Sequence, residues 1–132
     1  MSIKRRTDPA VGLQALDVWC AAGPCVAAEV DRKTLATAVR FTLEEFAARN
    51  PGGSVEVRVP PFGVAQAVEG PRHTRGTPPS TVEADPATWL SLVTGRTDFA
   101  HAVETHAVAA SGVRSDLGDL LPLFDAQGRA LA

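Results

Sequence analysis

A chain of 132 residues with a net charge of −2 at pH 7 is long enough for one domain that buries roughly two thirds of its unfolded surface. Its charges alternate in sign along the sequence, so no field is expected that would gather nucleic acid or an anionic membrane, and no window approaches the roughly 18 apolar residues of a membrane span. Lys4, Arg5 and Arg6 are followed by Asp8-Pro9 instead of an apolar run, so no signal peptide is expected and the chain is placed in the cytoplasm.

Taken in order, residues 1–7 are expected to be a loose terminus, Asp8 to cap a first helix and Pro9 to open it. Leu13, Leu16 and Cys20 then recur at helical spacing through Trp19, and Gly23-Pro24 ends the helix. Cys20 and Cys25 fit neither a redox CxxC nor a zinc ligand pattern and are expected to be plain thiols, with an oxidation-sensitive pair as the alternative. The second helix has the clearest pattern: Asp31 caps it, Leu35, Ala38, Val39, Thr42, Leu43 and Phe46 form one stripe, and Arg40, Glu44 and Glu45 face water. Asn50-Pro51-Gly52-Gly53 stops it.

Ser54 to Glu69 alternates apolar and polar residues around Pro60-Pro61-Phe62-Gly63, which predicts a β-hairpin with Val55, Val57 and Val59 on its dry face. The returning strand sets Val64, Gln66 and Val68 against Ala65, Ala67 and Glu69, and its dry face is not decided by pattern. A breaker-rich loop from Gly70 to Pro79 precedes a third strand from Ser80 to Ala84. Asp85-Pro86 starts a helix with Trp89, Leu90, Leu92 and Val93 that Gly95 closes, and Asp98 or Thr97 caps another ending at His106. Ala107 to Gly112 reads as a fourth strand and Ser115 to Phe124 as a final apolar helix. The tail 125–132 shows no pattern and is expected to be loose. The fold class is α+β, a single domain over 1–132 with a mainly antiparallel or mixed sheet of about four to five strands covered by helices on one face.

No nucleophile with a base, carboxylate pair or metal cluster can be assembled from this sequence, so no catalytic residue, metal or cofactor is expected. His101 and His106 are five apart, off the spacing of metal ligands on one helical face, and His73 beside Glu69 is a weak acid-base pair. Arg72, His73 and Arg75, with Arg58 across the hairpin, could hold an anionic head group, or the loop is simply solvated. Leu43, Phe46, Trp89, Leu92, Val93, Leu120, Leu121 and Phe124 are core by default, with the alternative that they line a cavity between sheet and helices.

The succession SVEVRVPPFG, VEADPATWLSLVTGR, DFAHAVETHAVAASG and VRSDLGDLLPLF resembles the sterol carrier protein 2 family, especially its stand-alone bacterial members, over most of residues 31–124. The resemblance implies an α+β fold enclosing a hydrophobic tunnel for a fatty acid, an acyl-CoA or a sterol-like molecule, with the C-terminal helix near its mouth. By position it makes Leu43, Phe46, Trp89, Leu92, Leu120, Leu121 and Phe124 the tunnel residues. The EGPRHTRGTPP loop departs from the family pattern. A non-catalytic carrier is therefore the leading expectation. The alternative is an accessory domain for a partner enzyme, since folds of this family also stand beside DinB-like domains in thiol-dependent isomerases.

Overall fold

Pro9 opens α1 (Pro9–Ala22) with Asp8 just before it, and the Asp8 carboxylate accepts the Ala10 N–H at 3.2 Å. The structure, a computed structural model, describes residues 5–22, 30–70 and 80–131. α1 buries Gly12, Ala15, Leu16 and Trp19, whereas Leu13, expected on the apolar side, is exposed. The buried stripe recurs at three to four residues, and its two smallest members let a neighbouring helix come close.

That neighbour is α2 (Arg32–Arg49), started by Asp31, whose carboxylate accepts the Thr34 N–H at 2.8 Å. Its buried side is wider than one stripe. Beside the expected Ala38, Val39, Thr42, Leu43 and Phe46 it buries Ala36, Phe41 and Ala47, because α2 packs against α1 as well as against the sheet and the next helix. The residues that follow tie the helix end to the hairpin: Val68 donates its N–H to the Asn50 carbonyl at 2.7 Å, and Gly52 turns at φ 145, where any Cβ would strike the Val68 carbonyl.

The hairpin is β1 (Val55–Val59) and β2 (Gly63–Ala67), closed by Phe62 donating to the Val59 carbonyl at 2.9 Å. β3 (Ser80–Ala84) pairs parallel with β1, and β4 (Val108–Ser111) antiparallel with β3, so the mixed sheet runs β2-β1-β3-β4. Val55, Val57, Val59, Val82 and Ala84 are buried under the helices, while Arg58 and Glu83 stand on the open face. Register decides the face that pattern left open: Ala67, Ala65 and Gly63 lie opposite Val55, Val57 and Val59 and point inward, and Val64 is 57% exposed. Small residues are needed there because α2 crosses this edge; a Cβ on Gly63 would sit 3.1 Å from Leu43 Cδ1.

α3 (Pro86–Val93) and α4 (Phe99–Glu104) follow β3, each capped by the expected aspartate, with Asp85 and Asp98 accepting the N–H of Thr88 and His101 at 2.7 Å. The expected final helix from Ser115 to Phe124 does not form. In its place stand a single 3₁₀ turn over Gly118–Leu120 and then extended chain at Leu121. Pro122 has no N–H to donate and pushes the residue before it out of the helical region, and Ser115 donates back to the Gly112 carbonyl at 2.9 Å instead of capping a helix. Beyond it Phe124 bridges to Ala130 around a turn in which the Asp125 carboxylate accepts the N–H groups of Gln127 and Arg129 at 2.9 and 3.0 Å.

Candidate functional site

The residues that the sequence nominates for a tunnel do not share one surroundings. Phe46 and Trp89 are fully buried and meet edge to face, ring centroids 5.7 Å apart, and the indole N–H of Trp89 donates to the Thr42 hydroxyl at 2.9 Å. Phe124 is buried against Phe41 at 6.0 Å, with the Arg49 guanidinium 5.7 Å from its ring. Leu120 is half-buried at the rim of the core. These four are packed side chains.

Leu92 and Leu121 border a hollow of about 440 Å³ between the α3–α4 loop and Pro122. It adjoins a second of about 580 Å³, and Arg96, Thr97 and His101 line both. Arg96 carries the strongest charge there, but its guanidinium lies 4.4 Å from the Trp19 ring and donates to the Cys20 carbonyl at 2.7 Å, near the C-terminal end of α1. Its Nη2 is therefore committed to the scaffold, while Nη1 is buried with no hydrogen-bond partner among the described residues. Cys20 itself is half-buried, and burial pushes its thiol pKa up despite the nearby Arg96. Cys25 lies outside the described residues.

Leu43 borders a different hollow, of about 520 Å³, between α2 and β2. Buried Leu43 and Ala47 and half-buried Phe62, Gly63 and Ala65 are its apolar lining, and the exposed Arg6, Arg40 and Gln66 line it beside half-buried Glu44. A volume of this size, apolar below with a few polar groups above, is what small-molecule sites have. Arg40 is set in place by donating through Nε to the Phe62 carbonyl at 3.0 Å, and Arg32 covers the outer side of the Phe62 ring at 5.3 Å.

One wall is a short arm of chain that sequence reasoning treated as a loose terminus. Glu44 accepts the N–H groups of Arg6 and Thr7 at 2.9 and 3.1 Å, one on each carboxylate oxygen, and Arg5 pairs with Glu45 at 2.8 Å. The one signal available was the Glu44-Glu45 pair on the polar side of α2, whose partners lie about forty positions earlier. Partial burial pushes the Glu45 carboxyl up, but hydrogen bonds from Arg5 and Arg49 outweigh it, so the net shift is downward from the ordinary value of 4.5. A lowered folded pKa means that the hold of Glu45 on Arg5 is complete above about pH 4.5 and is lost as pH falls through the folded value. An acid titration followed by the side-chain N–H signals of Arg5 should show its guanidinium released below that value. In Glu45→Gln the step should shrink.

The head-group residues expected from sequence, Arg72, His73 and Arg75, lie outside the described residues. Arg58 is on the open face of the sheet beside Glu56 and lines none of these hollows. Among the described residues no group of three or more His, Cys, Asp or Glu is arranged to hold a metal ion, and no helix is long and apolar enough to cross a membrane.

Compared with known proteins, residues 31–123 match the model of the family described as bacterial SCP ortholog. The match runs from the cap of α2 to the residue after Pro122 and takes in the whole sheet. Among curated proteins no match is found.

Proposed function

Since the chain belongs to the family of bacterial SCP orthologs, the sterol-carrier-like proteins, we propose that it carries a small lipophilic molecule and does no chemistry on it. The observation that carries this reading is the hollow between α2 and β2, which keeps Leu43, Ala47, Phe62 and Ala65 together at the bottom of about 520 Å³. Burying an alkyl chain on such a floor is worth at most about 0.8 kcal/mol per methylene, so affinity rises with chain length until the hollow is full. The ligand class that fits is a single-chain lipid such as a fatty acid or its acyl derivative. The rigid fused ring system of a sterol fits less well beside Gly63 and Ala65, where α2 and β2 approach closely.

Native mass spectrometry with a series of n-alkanols tests the proposal. The expected result is a one-to-one adduct whose affinity climbs about fourfold per methylene and then levels off. Absence of any adduct, or an affinity indifferent to chain length, removes the carrier reading. Amide shifts at Gly63, Ala65 and Ala47 on titration with dodecanol place the chain in this hollow. Shifts confined to Leu92, Phe99 and Leu121 would move it to the other.

A further inference from the structure

We infer that Arg6 and Arg40 form an anion-binding subsite at the mouth of the α2–β2 hollow, and that it selects a single-chain carboxylate over a neutral molecule with the same chain. The inference rests on the carrier reading above and adds a head-group preference to it. Both arginines line this hollow, and both also line an adjoining hollow of about 550 Å³ between α1 and α2. Neither has an ion-pair partner among the described residues. Arg5, Arg49 and Arg58 are by contrast paired with glutamates.

The side chain of Arg40 is oriented, and neither side chain is consumed by a described residue. Arg40 uses Nε on the Phe62 carbonyl, and no hydrogen bond to a described residue occupies its two terminal nitrogens. Arg6, which lines the hollow, is fixed through its backbone N–H by Glu44, and no hydrogen bond to a described residue occupies its guanidinium. The one carboxylate lining this hollow, Glu44, already accepts a backbone N–H on each oxygen. Asp8 lines the adjoining hollow and accepts the Ala10 N–H at 3.2 Å. The lining of the α2–β2 hollow itself holds two guanidiniums and one carboxylate, an excess of positive charge that favours an incoming anion, and a guanidinium fork matches the two oxygens of a carboxylate. The apolar floor of Leu43 and Phe62 directly below provides for the chain that such a head group would carry.

The experiment compares dodecanoate with dodecanol, below micelle formation, on the whole protein, on Arg6→Ala, on Arg40→Gln and on both together, by NMR titration. Arg58→Ala, on the open face of the sheet, is the control. Dodecanoate is expected to bind about tenfold more tightly than dodecanol to the unaltered protein, the size of one charge-assisted contact. The double variant should lose that preference while its dodecanol affinity stays the same, and added salt should weaken dodecanoate alone. Arg6→Ala guards against misfolding as the explanation, because it keeps the backbone N–H that Glu44 holds. If both ligands bind the unaltered protein equally, or the double variant keeps the full preference, the subsite is overturned and the carrier reading stands. If neither ligand binds, both fall.

Discussion

Replacing Trp89 with alanine is expected to lower the stability of the fold by about 3–5 kcal/mol, read as a drop in the urea midpoint. The side chain is completely buried, stands edge-on to Phe46 at 5.7 Å, and fills the space where α3 meets α2. Its removal leaves a cavity in a close-packed core beside Phe46 and Thr42. The indole N–H adds a directional component. It donates to the Thr42 hydroxyl at 2.9 Å, and that hydroxyl is in turn oriented by the Ala38 and Val39 carbonyls at 2.8 and 3.0 Å. Thr42→Val therefore strands a buried donor and should cost about 1–3 kcal/mol. Trp89→Phe should cost less in the Thr42→Val background than alone, because the donor has then gone with its acceptor. Equal costs in both backgrounds would mean that the hydrogen bond contributes nothing.

The second large effect is expected at Gly12, where helix propensity and packing oppose each other. In an isolated helix alanine is better than glycine by roughly 0.5–1 kcal/mol. Here a Cβ at position 12 would overlap the Phe41 ring, which is held from its far side by Phe124 at 6.0 Å. The overlap falls on a buried ring in a filled core and costs about 1–3 kcal/mol, so the packing effect wins and Gly12→Ala destabilises. Shrinking the obstacle should reverse the sign of the coupling: Phe41→Leu together with Gly12→Ala should cost less than the two single changes added. Additive costs would show that α1 moves away from α2 without strain.

Local grammar carried most of the fold. Asp31, Asp85 and Asp98 each stand before a helical run and each caps one, and the alternation of Val55, Val57 and Val59 marks a strand with one wet side. What escaped the sequence is what distant partners decide. The dry face of β2 is chosen by α2, which comes closest at Gly63, and the parallel pairing of β1 with β3 joins segments that have no local signal for each other. The expected last helix failed for a local reason that was present in the sequence. Leucines at helical spacing were given more weight than Pro122, which removes a donor where a helix would need one. The site followed the same division. Leu43 was legible as an apolar residue in need of a neighbour, but Arg6 was not, because nothing around position 6 announces that Glu44 will hold its backbone.

One turn of α2 fastens segments from opposite ends of the described chain. Glu45 holds Arg5, Arg49 holds the carbonyls of Leu123 and Leu131 at 3.3 and 3.0 Å, and Glu45 and Arg49 hold each other at 3.1 Å. Closing a loop between residues 82 positions apart has an entropic cost that is met before the contact is made, so these fastenings belong to the last stage of folding. By the same reasoning they are the first to open under native conditions, and hydrogen exchange at Leu131 and Arg6 should run ahead of exchange in β1 and α2.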